Sequence, residues 1–329
     1  MRRRLVLLAG AALLVLAVLA SLAVGSNPLT PAQVWHALLA DDGGTAASIV
    51  WDLRVPRTLL GLVVGAALAA AGVLLQALTR NPLAEPRILG ISAGASLGVV
   101  VAITLFGIGS LAGYVWFGIL GALGAGLLVF GVAARARDGA SPVTLALVGA
   151  ALDASLGAVT AGLLSADTRT FEEFRFWVVG GLTGRDSAVA VQVLPFLLVG
   201  LVLAAVVARG LDSLALGDDV ARGLGTRVGL TRIGGGAAAV LLTGAGVAAA
   251  GPIAFVGLAV PHVARYLVGT DQRWVLAVSV LLGPALLLAA DTIGRVVALP
   301  GEVSAGIITA LIGAPLLAIL VNRAKVVSA

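Results

Sequence analysis

From Leu5 to Gly25 the chain runs for about twenty residues without a charge, and the same pattern of long apolar run and short polar break recurs to its end. A helix needs about 20 residues to cross a hydrocarbon layer. On that measure the runs predict ten spans, at 5–25, 57–78, 91–108, 112–134, 142–165, 189–209, 231–250, 254–267, 274–297 and 305–321. The runs are too long and too continuous for the alternating strands of a β-barrel. The eighth is short and holds Pro261 and His262. Between the first two, Leu29, Val34, Trp35, Leu38 and Leu39 follow Thr30-Pro31 at near-helical spacing and predict a helix lying along the membrane surface. Residues 166–188 carry Phe171, Phe174, Phe176 and Trp177, an aromatic group suited to the interface. The first run, preceded by Arg2, Arg3 and Arg4, reads as a retained helix rather than a secretory signal. Its apolar core is long, and Ala23-Val24-Gly25 makes a poor cleavage site.

Composition agrees. The chain is 60% apolar and 11% charged, with a mean hydropathy of +1.11, against about 25% charge in soluble domains. The net charge of +5 is no nucleic-acid signal, because the arginines lie scattered between spans. Ten spans place both termini on one side. With that side cytoplasmic, fifteen basic residues fall inside, Arg80 and Arg87 among them, and six fall outside: Arg54, Arg57, Arg169, Arg175, Arg185 and Arg295. This is the expected bias. Cysteine is absent, which excludes thiol chemistry. The single lysine, Lys325, follows no glycine-rich turn, so the chain has no P-loop for ATP hydrolysis. His36 and His262 alone make no metal cluster, and no metal site is expected. Apart from Asp153, the spans offer few groups for the proton relay of a stand-alone coupled transporter.

Polar residues concentrate in Leu78–Ala95, LTRNPLAEPRILGISAGA. Pro82 and Pro86 forbid a continuous helix there. The segment reads as a structured turn on the cytoplasmic side, with Arg80 and Arg87 as anchors. A faint repeat lays Gly65–Gly72 over Gly244–Gly251, Pro82 over Pro261 and Gly90 over Gly269. It is either coincidence in an Ala/Gly-rich chain or the trace of two halves, about 1–165 and 189–329, each with five spans. An odd number of spans inverts the second half. In the segment 210–230, Leu216, Val220 and Leu224 recur every four residues. Asp218 and Asp219 sit where a helix would start, and Gly223 and Gly225 where it would end. A short helix of this kind either folds back on its own bundle or lies in a groove of a partner.

Arg54-Val-Pro-Arg57, Gly65–Gly72, Gln76, Arg80–Pro86 with Asn81 and Pro82, and Leu89–Ala95 with Gly90 together resemble the FecCD-type permeases of bacterial ABC importers for iron–siderophore, haem and vitamin B12. Leu214–Gly225, Gly251–Arg265 with Pro261 and His262, Gly301–Gly306 and Gly313–Pro315 extend the resemblance over nearly the whole chain. It implies an all-α polytopic fold forming one permease domain, 1–329, in the cell membrane. It implies a second permease subunit, two ATP-binding subunits that hold ATP and Mg, and an extracytoplasmic binding protein. No cofactor and no catalysis are expected in this chain. Leu214, Leu216, Gly217, Asp218, Asp219, Val220, Arg222, Leu224 and Gly225 become the ATPase contact. Arg54, Arg57 and Arg295 become docking cations, and Asp153, Ser155 and Thr160 path candidates. His262 is expected to be a packed histidine. The resemblance leaves haem and cobalamin open beside siderophores.

Overall fold

The computed structural model describes residues 1–39, 43–136 and 141–315, and among these it is helical with no strand. In chain order the helices are α1 Arg2–Ala23, α2 Pro31–Leu39, α3 Thr45–Ser48, α4 Val55–Thr79, α5 Ile91–Phe106, α6 Leu111–Arg135, α7 Pro142–Ala166 and α8 Thr168–Val178. They continue with α9 Ser187–Ala215, α10 Asp218–Gly223, α11 Val228–Ala250, α12 Val256–Val268 and α13 Gln272–Val297, and end with α14 Ala305–Pro315. Each predicted span falls on one of these helices. Seven are long and apolar enough to cross a membrane, while α5, α12 and α14 are shorter apolar helices. The C-terminal part of the tenth predicted span, with Arg323 and Lys325, and also Arg137, lie outside the described residues.

Helix α4 is the hub. Its Ala/Gly-rich sequence leaves no bulk, so neighbours approach at backbone distance. A Cβ added to Gly72 would lie 1.9 Å from the Gly257 carbonyl oxygen of α12, and one on Gly65 would lie 2.5 Å from Pro284 Cα of α13. Replacing Gly72 by Val is expected to destabilise the bundle by about 3 kcal/mol, the upper range of over-packing. The check is a denaturation midpoint in detergent beside the wild type. Helices α4 and α13 run antiparallel. Arg57 meets Asp291 at one end of the pair, and Arg3 meets Asp271, the N-cap of α13, at the other. The latter is the arginine-rich end.

Between α4 and α5 the chain turns back into the bundle. Arg80, in the left-handed region at φ 49°, ends α4. After Pro86 a 3₁₀ turn, Pro86–Leu89, leads to Gly90, whose φ of 69° opens α5. Pro86 reaches α12: a Cβ on Gly257 would meet both Leu68 O of α4 at 2.9 Å and Pro86 Cδ at 3.1 Å. Leu68 stands above Thr79 by about 16 Å, at a helical rise of 1.5 Å per residue. The expected turn at the cytoplasmic boundary is therefore a re-entrant segment. Its anchor is Glu85, whose carboxylate accepts the Phe255 N–H at the start of α12 at 2.6 Å.

Two other expectations change. The aromatic group of 166–188 divides, because α8 is amphipathic. Phe174 and Trp177 are buried, Trp177 Nε1 donating to Ala248 O at 3.3 Å, while Phe171 and Phe176 stay exposed. The segment 26–53 holds the expected helix in α2, with Trp35 and Leu39 exposed, but a second helical stretch follows it. The faint repeat matches unlike local structures. Gly72 lies inside α4, whereas Gly251 closes α11 at φ 75°, and Pro82 lies in a turn, whereas Pro261 is inside α12.

Candidate functional site

At the end of the bundle opposite the arginine-rich one, Arg54, Arg57 and Arg295 come together. Pro56 has no N–H to return to Asp52, and just before it the helix widens into a π turn, Ile49–Arg54. That turn aims Arg54 at the C-terminus of α1, where its guanidinium donates to Leu22 O at 2.7 Å, Ala23 O at 2.8 Å and Asn27 O at 2.6 Å. These include carbonyls the helix itself leaves unpaired. Arg57 donates bidentately to Asp291, at 2.8 Å to each oxygen, and to Glu302 at 2.7 Å. Arg295, one turn beyond Asp291, donates to the same carboxylate at 2.6 Å and to Ser21 O at 2.6 Å. Asp291 is fully buried, and Arg57 and Arg295 are 8% and 2% exposed.

Most donors of the three arginines are thus engaged within the chain, but among the described residues the Nε–H of Arg54 is not. At Arg57 or Arg295 a carboxylate arriving from outside would have to compete with Asp291, Glu302 or backbone carbonyls. Asp52, two residues before Arg54, pairs with none of the three among the described residues. Three guanidiniums share two carboxylates, so one positive charge is left over. It belongs to Arg54, whose partners are neutral carbonyls. All three line a cavity of about 550 Å3 with Asp52, Arg185 and Glu302. Burial opposes ionisation of Glu302, but the hydrogen bonds from Arg57 and Ser26 and the charges of Arg57 and Arg295 outweigh it and hold its carboxyl below the usual range.

At the arginine-rich end, Gly217 at φ 106° releases the chain from α9 into α10. Leu216, Val220 and Leu224 are exposed, while Leu214 and Ala221 are buried. The short helix covers only Asp218–Gly223, so Leu216 caps α9 and Leu224 follows α10, yet all three keep an outward apolar face. Asp218 is inward-facing. It accepts from Arg80 at 2.5 Å and from Arg232 of α11 at 2.9 Å, and so fastens α10 to the end of α4 and the start of α11. Among the described residues Asp219 pairs only with Arg222, at 2.7 Å, one turn on. Gly225, at φ 79°, turns the chain toward α11.

The path candidates lie on α7, a helix with one largely exposed side. Asp153 is exposed and Thr160 buried, and both line a groove of about 290 Å3 with Arg87, Ser92 and Ser96. Ser155 is exposed outside that lining, its hydroxyl donating to Ala151 O at 2.8 Å. Asn81 Oδ1 accepts the Leu83 N–H at 2.9 Å and shapes the turn around Pro82. Pro261 is buried within α12 and His262 is half-buried.

Asp291 was missed in the sequence, and Gln76, Glu85 and Glu302, though inside the motifs that carry the resemblance, were given no role of their own. Gln76 donates to Gly257 O at 3.2 Å and accepts from Arg265, which ties α4 to α12. Asp291 had a readable signal. A carboxylate inside an apolar span, four residues from an arginine, needs a partner.

Seven helices long and apolar enough to cross a membrane among the described residues, glycine contacts between helices, a polar segment folded back into the bundle and grooves opening from it define a polytopic α-helical membrane protein. The chain belongs to the FecCD transport family, whose model matches residues 13–323. It is 43% identical over 312 residues to the ferric enterobactin transport system permease protein FepD of Escherichia coli K12, covering 94% of this chain and 93% of that one. It is 39% identical over 311 residues to YfiZ of Bacillus subtilis 168, described as a siderophore transport system permease protein, with the same coverage. A solved inward-facing structure assigned to the metal-chelate type of ABC transporter superposes with a TM-score of 0.85 at 30% identity, covering 98% of this chain and 99% of that one.

Proposed function

We propose that this chain is the membrane-spanning permease subunit of a bacterial ABC importer that carries a ferric siderophore-type chelate into the cytoplasm. The arginine-rich end is cytoplasmic, both termini included, as the positive-inside rule requires. The ten apolar helices make ten crossings in two opposed five-helix halves of one domain. Two such subunits, identical or related, enclose the path, with the exposed side of α7 facing it. Two ATP-binding chains holding ATP and Mg bind the Leu216–Val220–Leu224 face, and closure of that pair tilts the bundle between outward- and inward-open states. The chain does no covalent chemistry. An extracytoplasmic binding protein seats over the cavity beside Arg57. There Arg54 supplies the uncompensated charge that attracts it, and Arg57 and Arg295 hold the rim in shape.

The observation that carries this reading is the exposed apolar face of residues 216–224, fastened to the bundle by Asp218 in a chain that belongs to the family along nearly its full length. The test is reconstitution with the partner ATPase and binding protein in vesicles. ATP-dependent accumulation of a ferric siderophore is expected. Uphill accumulation by the permease without any ATPase overturns the reading.

A further inference from the structure

The re-entrant segment carries a charge that the mechanism above does not use. Arg87 follows Pro86, which lies level with Leu68 of α4, deep in the bundle rather than at its arginine-rich end. Arg87 is exposed and forms no direct ion pair among the described residues; the carboxylate whose charge it feels is Glu85, two residues back, which is held by the Phe255 N–H. An unpaired arginine at membrane depth is costly unless it faces water or a ligand. Arg87 faces two grooves. The smaller is the 290 Å3 groove of α7, whose wall includes the hydroxyl of Ser92, a buried group with no hydrogen-bond partner. The larger, about 740 Å3, opens between Val178, Pro252, Ile307 and Leu311, and Arg87 is the one charged group in its described lining. Asp153 faces only the smaller groove.

We infer that Arg87 is a selectivity residue of a transit site that receives chelates of net negative charge with an apolar or aromatic organic shell. The inference rests on the transport reading and adds the substrate class. An apolar wall takes the shell of such a chelate. A single cation at its edge offsets the charge, which gains strength where water is scarce. Ser92 supplies an uncommitted hydroxyl to a ligand oxygen. A neutral trihydroxamate chelate gains nothing from Arg87.

The test compares wild type, Arg87→Lys and Arg87→Glu in nanodiscs for equilibrium binding of two probes, ferric tris-catecholate and a neutral ferric trihydroxamate. Uptake of both is then measured in the reconstituted transporter. Arg87→Glu is expected to weaken catecholate binding at least ten-fold and to leave the trihydroxamate within two-fold, and Arg87→Lys to keep most of the wild-type binding. Co-purification of the partner ATPase and the denaturation midpoint in detergent, measured for all three, report whether the variants fold and assemble. Equal loss for both probes, no loss for either, or no catecholate binding by the wild type overturns the inference. Catecholate binding that depends on Arg87, with no ATP-driven uptake of either probe, counts against the transport reading and leaves the site standing. Uptake of both probes that is indifferent to Arg87 does the reverse.

Discussion

Replacing Asp291 by Ala is expected to cost about 3–5 kcal/mol of stability, the range for breaking one side of a buried ion pair. Asp291 is completely enclosed, and both of its oxygens are engaged by two guanidiniums that are themselves almost fully buried. Its removal leaves Arg57 with only Glu302 as a charged partner, and Arg295 with only the groups of Ser21 and Val24. Two guanidiniums then share one carboxylate, and the charge of Arg295 sits unbalanced where α1, α4 and α13 meet. The desolvation penalty of the triad is large, so replacing all three members together by apolar residues (Arg57→Met, Asp291→Leu, Arg295→Met) should recover most of the loss. Denaturant titration in detergent checks both arms. A single variant within about 1 kcal/mol of wild type contradicts the assignment of Asp291 as the keystone.

The second large effect is on transport. With Leu216 and Val220 both changed to Asp, ATP-driven uptake should fall at least ten-fold while the chain still inserts and folds. The two side chains are exposed and contribute little to the bundle, whereas the buried anchors beside them, Leu214 and Ala221, stay in place. Two new carboxylates on an apolar docking face cost about 1–3 kcal/mol each when left without partners, enough to release the ATPase. The measurement pairs co-purification of the ATPase with vesicle uptake. A complex that still co-purifies and still transports rules out this face as the coupling surface.

Much of the architecture was legible before any coordinates. The apolar runs are long, and their breaks hold Pro, Gly or charge, so each predicted span lands on a helix. The apolar face at Leu216, Val220 and Leu224 was legible for the same reason, since a local period survives in the folded chain. The partners of the arginines were not. Arg57 and Asp291 are separated by most of the sequence, and nothing local to Arg54-Val-Pro-Arg57 says whether its cations point outward or inward. The depth of Arg87 was hidden likewise. Two prolines announce a break in the helix, but whether the broken chain runs along the membrane surface or dips below it depends on the bare backbone of Gly257, which packs directly on α4 and leaves room for Pro86 beside it.

By itself the sequence determined the class, the helices and the identity of the few polar residues, because apolar length and proline act over a handful of neighbouring residues. Tertiary structure alone decided what those polar residues do. Whether a charge is spent on a buried partner, as at Arg57 and Arg295, or kept for a groove, as at Arg87, depends on which remote helix lies opposite. The energy of a charge in a low-dielectric bundle is set by that neighbour more than by the residue itself.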